Sequence, residues 1–537
     1  MFRKIVDKII FIFDLKKVLA SEIIGFFKSF RLENQNKAKL FKLDRKKQLK
    51  NLLIVSLTNN NYTLNIEALF GKYFNLRGYH IYFLTNFREK RAWRTFQSIN
   101  GKILFYHFWY FKNGLKFLFR PLPCVKNNEE LKDYHYQGIN VGRGVYSTVC
   151  RKLKVGFLDF SREEVRKTVR KYLWRSLVYL ETAKDIFRQI KPNLIISLEK
   201  GYVGHSEIWQ LAMKEGIDFI QWVGCHKPNA LMFKRYHQNN LRDPAVSVAA
   251  ATWQKFSQKP WEEKYREEVE EVFRQGYLKR EWFSYHQLLG SVEILNKEEF
   301  IKKYHLDPAK KIAVLFAHVL WDANIFYGRD LFEAGFGEWL VESVKVMMGN
   351  HNVNWLIKVH PANRFKHKTE GIKGEYRDIL TIKKYFNGIP ENIKVIYPED
   401  NLNPYCLFKI IDYAITVRGT VGMEYPCFGV AALTAGSGSY AGRGFTIDSD
   451  SKEDYLEKLR RIEKIPPLSE EQRRKALIHA YLLFKLRPLF FSSFKEKFSG
   501  NEMDLDILIN KPEQGTDFMK FVDWAINSAA EDFLNNQ

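Results

Sequence analysis

The sequence predicts an α/β protein of two facing Rossmann-like domains, with a cleft between them and helical additions at both ends. Three observations predict it. Strand-like and helix-like segments alternate from residue 50 to 223, and again from 312 to 433. A charged helical connector, "WEEKYREEVEEVFRQGYL" (261–278), separates the two series. The chain of 537 residues is too long for one core, and its 46% hydrophobic and 15% aromatic content can fill two.

The elements follow in order. "KNLLIVSLT" (50–58) is a buried-strand run, Asn59-Asn60-Asn61 a polar loop, "TLNIEALFGKYFNLRG" a helix and "YHIYFLT" a second strand. The aromatic run 103–122 carries Lys112, Lys116 and Arg120. It reads as a core helix or hairpin with a basic edge, or as a lipid-facing surface. Helical periodicity from 162 to 190 stops before Pro192. "NLIISLE" (193–199) is a strand, 201–204 a loop, "SEIWQLAMKEG" a helix and "IDFIQWV" a strand. The second series places strands at 312–318, 354–359, 393–397, 413–417 and 430–433. "SKEDYLEKLRRIEKI", "SEEQRRKALIHAYLLFKL" and 516–534 are helical. The expected division is a basic amphipathic segment at 1–48, Rossmann-like domains at 49–290 and 291–500, and a helical tail at 501–537.

A net charge of +24 points to a polyanionic partner: a phosphorylated substrate, an anionic membrane surface or nucleic acid. The basic residues are spread along the chain and match no zinc finger, RRM or basic zipper, so no nucleic-acid partner is expected. Five scattered cysteines without CxxC spacing argue against zinc or a disulfide framework and fit a reducing compartment. No metal is expected. Asp7, Lys8, Asp14, Lys16 and Lys17 break the apolar runs of the N-terminus, which fits neither a transmembrane helix nor a signal peptide. It reads as an amphipathic helix lying on its own protein or on an anionic inner leaflet.

In open α/β sheets ligands bind beyond the carboxyl ends of the strands, so the residues there are the candidates. After 312–318 come His318, Trp321, Asp322, Asn324 and Arg329, read as a capping loop or a loop contacting a sugar or phosphate. After 354–359 comes His360-Pro361. The proline restricts His360 to extended backbone and so aims its imidazole. A histidine there can bond a phosphate and offset charge on a departing nucleotide. Lys358 alternates with His360 and shares its side. After 413–417, Arg418, Gly419 and Thr420 open a short helix whose amides suit phosphate, with Glu424 four residues on to accept ribose hydroxyls. After 430–433, "AGSGSYAGRGFT" places Gly436, Ser437, Gly438 and Tyr440 where backbone can approach a ligand, without a P-loop lysine. In the first series Glu199 and His205 stand after a strand as candidate general bases, or Glu199 as a nucleophile.

"IKVHPAN", "VRGTVGMEYPCFG" and "LTAGSGSYAGRGFT" together resemble the donor half of capsule and surface-polysaccharide glycosyltransferases, the Kdo-transferase and sialyltransferase-like enzymes of GT-B architecture with an HP motif. "KGYVGHSEIWQLAMKEGI" resembles their N-terminal half, and the likeness runs from about 190 to 450. It implies transfer of a sugar from a nucleotide-sugar, a substrate rather than a cofactor, to a glycan or glycolipid acceptor. It places the acceptor in the first domain and the donor in the second, and the protein in the cytoplasm, peripheral at the inner membrane face. His360 would then contact the donor phosphate, and Arg418, Gly419 and Thr420 would form the phosphate turn, where several relatives carry a serine pair. Two other readings share this frame: a polyol-phosphate transferase of teichoic-acid type, and a catalytically silent scaffold.

Overall fold

The computed structural model describes residues 50–87, 89–117, 122–282, 293–322, 331–491, 494–499, 502–507 and 516–535. The N-terminal segment 1–48, Arg120, Asn324 and Arg329 lie outside the described residues.

The first series gives β1 (Lys50–Val55), β2 (Tyr79–Thr85), β3 (Lys102–Phe105), a small hairpin of β4 (His135–Tyr136) and β5 (Ile139–Asn140), then β6 (Leu194–Ser197), β7 (Asp218–Gly224) and β8 (Ala230–Tyr236). The second gives β9 (Lys311–Phe316), β10 (Val353–Lys358), β11 (Ile393–Ile396), β12 (Tyr413–Thr416) and β13 (Ala431–Thr434). β14 (Leu489–Phe490) and the hairpin of β15 (Phe494–Ser499) and β16 (Glu502–Ile507) follow.

The strands form two main sheets, each the centre of a Rossmann-like domain. The first runs β14-β8-β7-β6-β1-β2-β3 and the second β11-β10-β9-β12-β13. The second is parallel throughout. The first is parallel from β3 to β7, with β8 and β14 antiparallel at one edge. Helices cover the faces, so strand residues such as Leu52, Ile54, Val314 and Leu356 are wholly buried. Strand order reverses between β1 and β6 in one sheet and between β9 and β12 in the other. That reversal opens a crevice at the carboxyl ends of β9 and β12.

Two features depart from the expected division. β8 carries Lys234 and Arg235 in mid-strand, which hides it from a search for apolar runs, yet both are buried. Lys234 pairs with Glu531 (3.1 Å) and Asp532 (3.4 Å), and Arg235 with Asp218 (2.9 Å). The segment at 489–490, expected in the second domain, instead pairs as β14 with β8 of the first. The helix Thr516–Asn527 also packs on that domain: Phe521 stacks on Phe233 at 3.7 Å and meets Phe70 at 5.2 Å. Burial of two cations in β8 requires carboxylates: Asp218 on β7 serves Arg235, and the C-terminal segment brings those that serve Lys234.

The first core also holds one uncompensated acid. Glu67 is buried on the helix Asn61–Leu76, and neither carboxyl oxygen has a hydrogen-bond partner. Burial raises it to about 8, and the neighbouring Ser56 and Trp222, which act to lower it, fall short of hydrogen-bond geometry. The folded chain therefore holds a proton there that the unfolded chain has released. Its contribution to stability is complete below the ordinary carboxyl range and is lost as pH rises toward about 8. Glu67→Gln is expected to flatten the fall in Tm between pH 5 and pH 8; a Tm profile parallel to that of the parent would contradict it.

Candidate functional site

A cavity of ≈ 470 Å³ opens where the second sheet ends against the first domain. Strand ends of the second sheet supply Lys358, His360, Thr416 and Gly419. The end of β7 supplies Cys225 and His226, and the connector helix Glu263–Tyr277 with its following turn supplies Tyr277 and Trp282.

The turn after β12 is held on several sides. His318 Nε2 accepts from Val417 N–H (3.2 Å) and lies 3.0 Å from Thr416 Oγ1. Burial, reinforced by the Arg418 charge, lowers the imidazole to about 3, so it is neutral and the accepting Nε2 assigns its proton to Nδ1. Its ring stacks on Phe336 at 4.4 Å. Thr416 Oγ1 accepts from Gly419 N–H (3.1 Å), and the Tyr440 hydroxyl donates to the Gly419 carbonyl (2.8 Å). Tyr440 is therefore a buried brace for the turn and does not line the cavity. Its ring occupies the space that a Cβ on Gly422 or Gly438 would fill: a Cβ at Gly438 would stand 2.6 Å from its Cζ, and one at Gly422 would overlap its hydroxyl. Gly422→Ala is expected to cost about 3 kcal/mol by overpacking and to loosen the turn. Urea melts measure the first effect; an unchanged midpoint would show that Tyr440 can move aside.

His360 is half-buried, and its Nδ1 accepts from Ala362 N–H at 3.1 Å. In the neutral ring this assigns the remaining proton to Nε2. Lys358, the last residue of β10, is buried beside it in the cavity wall, as strand alternation anticipates. Burial lowers its ammonium to about 8, against the pull of Asp400 and Cys406.

Other candidates take different places. Glu424 is buried, burial raises it, and its Oε2 accepts from the Tyr277 hydroxyl at 2.5 Å. The neighbouring Thr420 hydroxyl acts to lower Glu424 and makes no side-chain cap. The reason is local: Thr420 is already helical (φ −56°, ψ −24°), whereas a capping side chain needs extended backbone. The helix it opens, Val421–Cys427, is only seven residues long. Arg418 does not line the cavity and lies over the Phe336 ring at 5.4 Å. Gly436, Ser437 and Gly438 do not line the cavity, whereas Ser439 does. Asp322 is exposed outside the cavity and pairs with Lys366 at 3.1 Å.

Neither Glu199 nor His205 lines the cavity. Glu199 Oε1 accepts from the amides of Lys200 and Gly201, both at 2.7 Å, and so shapes its own loop. His205 Nδ1 lies 3.4 Å from Ser197 Oγ, and burial lowers the ring to about 4. Glu199 belongs to a charged cluster in which Arg151, 4.7 Å from the Tyr202 ring, senses Asp322 and Glu199.

Cys225 and His226, whose Sγ and Nδ1 lie 3.0 Å apart, line the cavity although their spacing, with that of His237, suggests only a zinc site that it does not fit, and Tyr277 and Trp282 line it with no motif of their own. The first two directly follow β7, so the strand-end rule could have found them. The aromatic pair arrives from the connector and has no such signal. No cluster of three or more metal-ligating side chains occurs among the described residues.

No family model matches the chain, and no curated protein does. Among solved structures it is similar to the KpsC beta Kdo 2,4 transferase of Thermosulfurimonas dismutans, with 13% identity over 56% of this chain and 81% of that one, at a TM-score of 0.34. It is also similar to the glycosyltransferase VinC in complex with DTDP, with 10% identity over 81% and 94% of the two chains, at 0.22. A third likeness is to the UDP-GlcNAc 2-epimerase of Neisseria meningitidis bound to UDP-GlcNAc, with 10% identity over 81% and 96%, at 0.24. At these TM-scores none of them carries a functional argument, and the functional reading rests on the residues of the cavity.

Proposed function

We propose that the chain is a GT-B glycosyltransferase that moves a sugar from a nucleotide-sugar donor to a surface glycan or glycolipid. One observation carries the reading: Lys358 and His360 stand side by side at the end of β10, in a cavity at the crevice where strand order reverses, with the His360 ring oriented by the Ala362 amide on Nδ1. A diphosphate is the ligand chemistry that a lysine ammonium and an imidazole N–H suit together. As the glycosidic bond to the nucleotide breaks, negative charge grows on the departing phosphate, and these two groups offset it where it develops. That arrangement calls for no metal. The braced turn at 416–420 gives the same phosphates a rigid wall, and Tyr277 and Trp282 offer aromatic faces to the nucleoside. The acceptor enters from the first domain, on the side of Cys225 and His226.

The test is a thermal-shift series with UDP, CMP, GDP and CDP, followed by product analysis. Stabilisation by one nucleotide and a new glycosidic bond support the reading. A phosphodiester product would identify the polyol-phosphate chemistry instead, and no response to any nucleotide would favour a silent scaffold.

The proposed site of action is an anionic membrane surface. No described helix is long and apolar enough to cross a membrane. The helix His107–Phe117 instead exposes Phe108 (71%), Phe111 (41%) and Leu115 (47%) beside Lys112 and Lys116. An apolar stripe with adjacent lysines suits an anionic leaflet. Phe108→Ser with Phe111→Ser is expected to weaken co-sedimentation with anionic vesicles by about tenfold or more; equal sedimentation would remove this surface.

A further inference from the structure

A second cavity, of ≈ 380 Å³, lies away from the first and has no part in the chemistry above. Its floor is aliphatic: Ile478, Leu482, Leu486 and Leu534. Its walls are aromatic, with Trp261 5.5 Å from Tyr265, and Tyr265 4.7 Å from Tyr481. Lys255 and Lys259 stand at its mouth, exposed, their ammonium groups 5.8 Å and 4.5 Å from the Phe256 ring. Neither lysine has a carboxylate partner among the described residues. The acidic group nearby, Glu262, is already engaged: it accepts from the Tyr265 hydroxyl at 3.0 Å and pairs with Lys264 at 2.5 Å. The mouth is thus net cationic over a largely apolar interior.

One element walls both cavities. The helix Glu470–Tyr481 continues as a five-residue π-turn, Leu482–Leu486. Leu482 and Leu486 face the second cavity, while Leu483 and Phe484 face the first. Phe484 packs there against His226 (5.1 Å) and Trp282 (5.7 Å). Immediately after the turn, Arg487 is fully buried and donates to the carbonyls of Ser247, Phe233 and Ala245. A wide turn anchored at its end is a place where a ligand on one face can shift side chains on the other.

We infer that the second cavity binds an anionic amphiphile, its hydrocarbon tail on the Ile478–Leu482–Leu486 floor and its single anionic head between Lys255 and Lys259, and that occupancy is coupled through the π-turn to the first cavity. The volume is that of a small-molecule site. A hydrated glycan finds no hydrogen-bonding floor here, whereas an alkyl chain gains by leaving water. The anionic head follows from the two lysines without acidic partners. The coupling clause rests on the nucleotide reading of the first cavity; the binding clause does not.

The test uses the full chain with decyl phosphate, decanoate and 1-decanol, all below micelle-forming concentrations, by calorimetry. Both anions are expected to bind, with 1-decanol and the variant Lys255→Glu/Lys259→Glu each weaker by about tenfold or more. A preference between phosphate and carboxylate assigns the head group. Leu482→Trp, which fills the floor, should abolish binding, and bromodecanoate should quench fluorescence less in Trp261→Phe than in the parent. Equal binding of 1-decanol, indifference to the charge reversal, or no binding of either anion would overturn the site. Saturating decyl phosphate is expected to change nucleotide affinity at least about fivefold; no change would overturn the coupling and leave the site standing. If no nucleotide binds, the glycosyltransferase reading falls and the Trp261 readout still decides the second site.

Discussion

His360→Ala is expected to lower turnover by about two to three orders of magnitude, the loss typical of removing one pre-positioned donor from developing charge. The imidazole is held by the Ala362 amide on Nδ1, which sets the orientation of the ring in the cavity wall. The fold should survive. The residue is half-buried at a strand end, and the substitution strands one amide, a cost of about 1–3 kcal/mol. Asn at 360 separates the two roles, because its carbonyl oxygen can accept from Ala362 while presenting no imidazole. The expected pattern is a Tm near that of the parent for His360→Asn, a slightly lower one for His360→Ala, and turnover lost in both. The measurements are single-turnover kinetics with the nucleotide-sugar identified by thermal shift, alongside circular dichroism. Turnover within roughly threefold of the parent in His360→Ala would sink the proposed role, since a transition-state donor cannot be removed at so small a cost.

The second large effect concerns binding and its pH dependence. Burial lowers Lys358 to about 8, so the free protein loses this charge within reach of ordinary buffers. A bound diphosphate would favour the ammonium and raise its pKa, and binding therefore takes up a proton above about pH 8. Nucleotide affinity is expected to fall by up to about tenfold per pH unit above that point. Lys358→Met should lower affinity roughly 10- to 100-fold at pH 7, the range for a hydrogen bond to a charged group, and abolish the pH dependence. The same variant should melt higher than the parent at pH 7. The folded-state pKa lies below the unfolded one, so the unfolded chain binds the proton more tightly and the parent gains stability only as pH rises from about 8 toward the ordinary lysine range. Calorimetry in two buffers of different ionisation enthalpy measures the proton uptake. Binding with no proton uptake at pH 8.5 would place the phosphates elsewhere.

Much of the fold was legible in the chain. The five strands of the second sheet lie where apolar runs sit between turn residues, and each observed strand falls within two residues of its expected place. Parallel strands covered on both faces have to be nearly continuous in apolar residues, which makes them easy to read. β8 was not legible for the converse reason, since Lys234 and Arg235 interrupt it. Their burial makes sense only with Asp218, Glu531 and Asp532, and Glu531 and Asp532 lie almost three hundred residues away. The return of the chain at Leu489 was hidden in the same way.

The site divides along the same line. Strand-end logic and alternation were enough to single out Lys358 and His360 and to put them on one side of β10, because both follow from a local rule of backbone geometry. Which atoms face a ligand was not local. Glu424 turns to Tyr277, Tyr440 becomes a brace because Gly422 and Gly438 leave room for its ring, and Arg418 lies over Phe336. The sequence by itself determined the two series of strands, the crevice they leave and the pair of groups at the end of β10, since periodicity and strand ends depend only on neighbouring residues. Tertiary structure alone decided how the C-terminal segment closes the first sheet and which polar groups satisfy one another instead of a ligand. Burial demands a partner for every polar atom, and that partner can come from anywhere in the chain.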